Sequence, residues 1–370
     1  MSKPQYPLVK AIGLMSGTSL DGIDVALVET DGENLLVRGP SMTFSYDDEQ
    51  RELLKLALQQ ARGLADRESR PGQLAEIERQ STLWHAHAVH SFCDKMQLTP
   101  RDIGIIGYHG QTILHRPEIA LTVQLGDGRL LAKRVGTSVA FDLRAADMVG
   151  GGQGAPLVPV YHRALSSFVA ERPVAFVNIG GVANVTWIGE DGTLVAFDTG
   201  PGNALIDDWM AKHQGVSRDD GGMLGLSGVV DESVVAQFLG DGFFERPGPK
   251  SLDRNSFHSI HLDGLSTADG AATLAAVTSR SIAASRAHFP EEPRAWVICG
   301  GGRHNGAIMR GLRRLLPNVQ SAETYEFNGD AMEAEAWAYL AVRSMRGLPL
   351  TFPGTTGVEN EMTGGVIVRP

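Results

Sequence analysis

Twice along this chain an apolar strand runs into glycines, returns as a second strand, and turns again at an Asp-Gly pair into a third. The first instance runs from Ala11 through Gly13 and Gly17 to Glu29, turns at Asp31-Gly32 and continues as Leu35 to Arg38. The second runs Val174 to Ile179, turns at Gly180-Gly181, returns as Asn184 to Ile188, turns at Asp191-Gly192 and continues as Thr193 to Asp198. Asp-Gly between alternating apolar runs is a strong short-range hairpin signal. The repeat is one of architecture rather than of sequence identity. Each meander must bury one face, so the chain is expected to build two sheets, and its 370 residues suffice for two domains.

Helical spacing of apolar residues fills the intervals. Helices are expected over Asp48–Arg62, Pro71–Met96, Gly202–Gln214, Thr267–His288 and Asp330–Met345, with buried strands at Ile105–Gly107 and Ala295–Cys299. Thr99-Pro-Arg-Asp102 reads as a cap, a first-turn proline and a capping acid. Strands alternating with helices in both halves give an α/β fold, divided near Gly150-Gly-Gly-Gln-Gly154.

Composition removes several function classes. A formal net charge of -10 argues against a binder of nucleic acid or anionic membrane. It does not argue against a phosphate ligand, which backbone N–H groups hold without net charge. Two cysteines, Cys93 and Cys299, fit a reducing compartment. With no apolar run near the roughly 20 residues of a membrane span and no signal-peptide core at the start, the expected location is cytoplasmic.

Five groups carry candidate chemistry. Gly17-Thr18-Ser19-Leu20-Asp21-Gly22 sits between the first two strands, where successive N–H groups and two hydroxyls suit phosphate oxygens, and Asp21 or Asp24 suits the accompanying magnesium. It lacks the Gly-Lys-Ser/Thr ending of a Walker loop. Asp198-Thr-Gly200-Pro-Gly-Asn203 places a carboxylate at a strand end beside a helix start, where it suits a general base toward an acceptor oxygen or water; bracing the turn is the plainer role. Cys299-Gly300-Gly301-Gly302-Arg-His-Asn305 leaves bare backbone on which a flat adenosine can lie. His109-Gly-Gln111-Thr112, with Asp142, Arg144 and Asp147, offers hydrogen bonds to sugar hydroxyls; His109 and His115 lack a third ligand and read as hydrogen-bonded histidines. Glu333 shares a helix face with Trp337, and Glu335 with Tyr339, by i,i+4 spacing.

In this order along the chain, these groups resemble the sugar-kinase, heat-shock-protein-70 and actin superfamily, and more specifically the anhydro-N-acetylmuramic acid kinases. The stretches carrying the resemblance are Gly13 to Asp24, His109 to Thr112, Gly151 to Pro159, Asn178 to Gly181, Phe197 to Asn203, Gly248-Pro-Lys-Ser251 and Cys299 to Gly302. The resemblance implies a two-lobed, actin-like ATPase fold of ribonuclease H type, with duplicated mixed sheets, flanking helices and a central ATP cleft. Its lobes would be 1–140 plus 350–370, and 141–349.

The implied reaction opens the internal ether of 1,6-anhydro-N-acetylmuramic acid with water and phosphorylates the freed 6-oxygen from ATP. The product, N-acetylmuramic acid 6-phosphate, enters cell-wall sugar recycling. Asp198 matches the family's catalytic aspartate. Gly17, Thr18, Ser19, Leu20, Asp21, Gly22, Ile23 and Asp24, with Gly180, Gly181, Gly200, Gly300, Gly301, Gly302 and Asn305, match nucleotide contacts, with Asp21 toward Mg2+. Gln111, Thr112, Arg144 and Glu333 are the sugar candidates, Arg144 facing the lactyl carboxylate. A homodimer is implied as well. Two positions depart from the pattern: Met15 stands where the superfamily loop carries aspartate, and Arg144-Ala-Ala-Asp147 carries fewer arginines than the family often shows. A kinase for another anhydrosugar, such as levoglucosan, and a non-catalytic nucleotide-binding protein of the same fold are the alternatives.

Overall fold

A computed structural model describes residues 6–17, 19–252 and 260–370. Thr18, one of the expected nucleotide contacts, lies outside the described residues. The chain divides into two compact units, Met1–Leu165 with Ala331–Pro370, and Ser166–Asp330.

The first unit is built on a mixed sheet. With strands numbered along the chain, it contains β1 (Val9–Ser16), β2 (Gly22–Thr30), β3 (Leu36–Ser45), β4 (Ile105–Arg116), β5 (Leu121–Leu125), β6 (Val139–Phe141) and β12 (Val366–Val368), ordered β12-β6-β4-β1-β2-β3 with β5 against β4. The expected β1–β2–β3 meander forms antiparallel, while β4 adds parallel to β1. Asp31 closes the second turn by accepting from the N–H groups of Glu33, Asn34 and Leu35 at 2.8–2.9 Å. Helices Asp48–Ala61 and Leu74–Met96 pack on one face, where Leu54, Ile77, Val89 and Phe92 join Ile12 and Ile106 in a dry core. The first of these helices starts on a capping box between Asp47 and Gln50.

Helix Met332–Met345 covers the other face. It approaches so closely that a Cβ on Gly13 would lie 1.8 Å from the carbonyl oxygen of Ala334, and one on Gly107 2.0 Å from that of Trp337. This approach explains why the unit takes the chain back at Ala331 rather than near 350. It also keeps segment 141–165, whose Tyr161 hydroxyl donates to Glu335 at 2.6 Å, rather than ending near 140.

The second unit repeats the plan with β7 (Val174–Ile179), β8 (Val182–Ile188), β9 (Leu194–Pro201), β10 (Ala295–Cys299) and β11 (Val319–Ser321), ordered β11-β10-β7-β8-β9. The meander is antiparallel, and β10 lies parallel between β7 and β11. Helices Ala204–Gln214, Thr267–Ala284 and Gly306–Leu315 close a core around Phe197, Trp296 and Ile308. Two mixed sheets with flanking helices are the α/β class expected from the alternation of elements.

One strand is longer than its pattern suggests. The expected Ile105–Gly107 continues to Arg116 because β5 pairs with it antiparallel. His109-Gly-Gln-Thr112 therefore lies inside a strand rather than in a turn after one.

Candidate functional site

Residues of the first unit converge on Ser16 and Gly17. Between Leu14 and Ser16 the β1–β4 register slips, so that Leu14 faces Tyr108 and Ser16 faces Gln111. The extra residue on β4 is a bulge, a device that re-aims a side chain. Gly110 holds it with φ +71°, and a Cβ there would meet the Leu125 carbonyl oxygen at 2.4 Å. As a result the Ser16 hydroxyl donates to the Gly110 carbonyl at 3.0 Å, and the Gln111 amide to the Gly17 carbonyl at 3.1 Å. The other amide atom of Gln111, Oε1, is buried and has no partner among the described residues.

The turn past Gly17 is open. Ser19 and Asp21 are exposed, and the Ser19 hydroxyl donates to Asp21 Oδ1 at 2.7 Å. Leu20 and Ile23 point into the core, so their side chains are not available to a ligand. Asp24 Oδ1 accepts from Thr43 at 2.5 Å. Met15 packs against Ala26 and Ala334, and its sulfur accepts the Trp337 indole N–H at 3.1 Å. At the position where a carboxylate was the superfamily pattern, the side chain thus serves packing. Among the described residues no group of three His, Cys, Asp or Glu is placed to hold a metal. A lone exposed carboxylate beside a phosphate-type turn still fits Mg2+, which keeps several waters and takes phosphate oxygens.

Two of the sugar candidates, Thr112 and Glu333, gather near the guanidinium of a third, Arg144. Arg144 donates to the Gly154 carbonyl at 2.8 Å and to His109 Nε2 at 3.1 Å, and lies over the Trp337 ring at 5.3 Å. The Thr112 hydroxyl is 3.4 Å from the same His109 nitrogen. Burial pulls Arg144 down to about 10, against the carboxylates of Glu333 and Asp147 that raise it. Glu333 and Trp337 therefore share the face that their spacing predicts, and Glu335 and Tyr339 share another, both meeting Tyr161. Asp147 is hydrogen-bonded elsewhere: its oxygens accept from Gly154 N–H and the Thr356 hydroxyl, each at 2.6 Å, tying the glycine turn to the C-terminal segment. Asp142 pairs with Arg67, and His115 contacts Thr122 at 3.1 Å. A cavity of about 280 Å3 opens beside His109, lined also by Tyr108, Gln124 and Arg70.

In the second unit the glycine turns lock onto one another through backbone. Asn203 N–H donates to the Gly180 carbonyl at 2.7 Å, and Gly202 N–H to that of Gly181 at 2.9 Å. The Asn203 side-chain amide bonds the carbonyls of Ile179 and Gly180 at 3.1 and 3.2 Å. Gly300, at φ +71°, lies so close to Asn178 and Ile179 that a Cβ would meet Asn178 Oδ1 at 2.2 Å. Arg303 holds the Gly300 carbonyl at 2.9 Å and is itself paired with Asp330 and Glu323. Asn305 is a helix cap: its Oδ1 accepts from Ala307 and Ile308 at 3.0 and 3.2 Å, so that oxygen is committed to the fold.

Asp198 stands at the end of this framework, half-buried on β9 opposite Asn184. A strap formed by residues 248–252 brackets it: Asp198 N–H donates to the Lys250 carbonyl at 2.9 Å, and Leu252 N–H to Asp198 Oδ2 at 2.7 Å. Burial lifts the Asp198 carboxyl to about 7, against the bond from Leu252 that lowers it. The strap is pinned by Lys250, whose ammonium donates to the Phe243 carbonyl at 2.9 Å and lies 4.4 Å over the Phe243 ring. Lys250 carries no role in the sequence reading, where Gly248-Pro-Lys-Ser251 marks a motif without saying what it touches, whereas His109 is hydrogen-bonded as its motif leads one to expect.

Known proteins match along the whole of this arrangement. The family described as anhydro-N-acetylmuramic acid kinase matches residues 9–370. A protein of that name from Rhizobium etli is 53% identical over 364 residues, covering 97% of this chain and 98% of its own. Another, from Agrobacterium fabrum, is 52% identical over 366 residues, covering 97% and 98%. Among solved structures, (R)-2-hydroxyglutaryl-CoA dehydratase component A from Acidaminococcus fermentans is similar at 14% identity and a TM-score of 0.47, covering 90% of this chain and 99% of that one.

Proposed function

The chain belongs to the anhydro-N-acetylmuramic acid kinase family, and from that premise we propose that it opens 1,6-anhydro-N-acetylmuramic acid hydrolytically and phosphorylates the 6-oxygen from ATP. The observation that carries this reading is Asp198: a carboxyl held by one backbone N–H and lifted by burial to about 7. A general base works best with its pKa near the working pH, where the ionised form is populated and still basic.

In the proposed reaction Asp198 takes a proton from water as the water oxygen bonds the anomeric carbon. The bond from that carbon to the bridging 6-oxygen breaks, and its electron pair stays on oxygen. That oxygen then bonds the γ-phosphorus of ATP while the bond from phosphorus to ADP breaks. No separate acid is needed for the leaving oxygen, because phosphorus captures it; ordinary glycoside hydrolysis needs two carboxylates. Arg144 balances the lactyl carboxylate, Thr112 and Glu333 hold sugar hydroxyls, and Gln111, bonded to the Gly17 carbonyl, holds that turn in line. Backbone N–H groups of the Gly17–Gly22 and Gly180–Gly181 turns meet phosphate oxygens, and the Gly300–Gly302 backbone carries adenosine. Mg2+, held at Asp21 with water, would neutralise charge on the transferring phosphoryl group.

The reading places the enzyme in the cytoplasm, in peptidoglycan sugar recycling, as a homodimer. Among the described residues no helix is long and apolar enough to cross a membrane. The test is incubation with ATP, magnesium and the anhydrosugar in oxygen-18 water, with levoglucosan as a parallel arm. Mass analysis should find one label, on the anomeric hydroxyl of a 6-phosphate. Product without that label, or phosphorylation of levoglucosan alone, would reject the proposal.

A further inference from the structure

The His109 side chain touches both the Ser16–Gly17 end of β1 and Arg144. Its two ring nitrogens have fixed roles. The Ser16 carbonyl only accepts, so Nδ1, 3.3 Å away, carries the proton. The Arg144 guanidinium only donates, so Nε2, 3.1 Å away, offers its lone pair. The imidazole must therefore be neutral. Burial first, and the Arg144 charge second, keep it so by holding it well below the usual histidine range.

The ring is clamped as well as bonded. His109 packs on Trp337 with centroids 4.6 Å apart, and the Arg144 guanidinium lies over the same indole. Trp337 is in turn tied to Met15 through its N–H. The bulge at Gly110 is what turns His109 toward Ser16. Among the described residues Arg144 Nε is buried without a hydrogen-bond partner, so the guanidinium depends on its two terminal nitrogens for orientation, and one of these is bonded to His109.

We infer that His109 is a positioning residue: its neutral Nδ1–H tautomer aims Arg144 at the acceptor sugar and ties that aim to the geometry of the Ser16–Gly17 turn. The inference rests on the reading of Arg144 as a sugar contact. It makes the phosphate turn and the sugar contact mechanically continuous within the first unit, through contacts far apart in sequence.

The test uses the full-length enzyme and steady-state kinetics with both substrates varied. Asparagine places an amide near the Nδ1 position and nothing at Nε2; glutamine reaches the Nε2 position with an acceptor oxygen. His109→Asn should raise the KM for the anhydrosugar about tenfold, the order expected for losing a hydrogen bond to a charged group, with the KM for ATP within about twofold. His109→Gln should restore the sugar KM to within about threefold of wild type. Arg144→Ala run in parallel separates the two claims. If Arg144→Ala leaves the sugar KM unchanged, the assignment of Arg144 to the sugar fails. If Arg144→Ala raises it but His109→Asn does not, or if Asn and Gln are equally impaired, positioning by His109 is overturned. Should His109→Asn not fold, as judged by circular dichroism, His109→Gln decides: a sugar KM as high as that of Arg144→Ala overturns the inference, and one near wild type supports it.

Discussion

The β1–β2 turn and the β7–β8 turn occupy equivalent places in two meanders of the same plan, yet they are built from different material. The first presents side chains: Ser19 and Asp21 are exposed, and a Cβ on Gly17 would meet nothing closer than Ser19 Oγ at 3.6 Å. The second is backbone bonded to backbone, with Gly180 and Gly181 accepting from the Gly202–Ala204 stretch. A repeated strand plan thus yields one turn that exposes a hydroxyl and a carboxylate, and one rigid enough to fix Asp198 at the end of its third strand. Loops of the first kind tolerate change in the fold and not in the ligand; loops of the second kind do the reverse.

The comparison breaks most sharply at Asp198. Asp198→Asn should lower kcat by about 10²–10⁴, the contribution of a positioned base, while the KM for ATP stays near wild type. A near-normal kcat would remove the base from the second turn's side of the comparison. In the wild type, kcat/KM should rise with pH through about 7 and then level, because the ionised carboxylate is the active form. The stability linkage has the opposite sense. A carboxyl raised in the folded state binds its proton more readily than in the unfolded chain, so its effect on stability is lost as pH rises toward 7. Asn at 198 should accordingly raise the unfolding midpoint more at pH 8 than at pH 4, measured by thermal melts.

The next effect sharpens the contrast between the turns themselves. A Cβ on Gly202 would sit 2.2 Å from the Gly180 carbonyl oxygen. Gly202→Ala should cost about 1–3 kcal/mol in urea unfolding, the scale of overpacking, whereas Gly17→Ala should stay within about 0.5 kcal/mol. Equal losses would make the two turns alike. Asp21→Asn should raise the magnesium needed for half-maximal rate by about tenfold with no loss of stability, as expected for one weakened charged ligand. The smallest effect is at Asn305: replacing this cap by alanine should cost about 1 kcal/mol of stability. An ATP KM changed several-fold by that replacement, beyond any loss of stability, would show a direct nucleotide contact.

How far the sequence spoke depended on how far apart the partners are in the chain. Strand, glycine turn and strand are set by neighbours, and they lie where their patterns place them; so do Glu333 with Trp337 and Glu335 with Tyr339, four residues apart on a helix. Strand β4 outran its pattern because its outer half is stabilised by β5, which the local signal does not include. For Asn305 the glycine-rich turn before it draws the eye to a ligand, while the capping of Ala307 and Ile308 N–H by its Oδ1 shows only in the structure.

The sequence by itself determined the two meanders, the helices between them and the family, since these rest on periodicity, turn chemistry and contiguous motifs. Tertiary structure alone decided that Arg144, His109, Trp337 and Glu333 form one group, that Asp147 is a brace, and that a strap from residues 248–252 holds the Asp198 carboxylate. The physical reason is close packing. Bare backbone at Gly13 and Gly107 lets a helix more than two hundred residues downstream settle onto β1 and β4, and burial of Asp198 changes its proton affinity through atoms that no local spacing reveals.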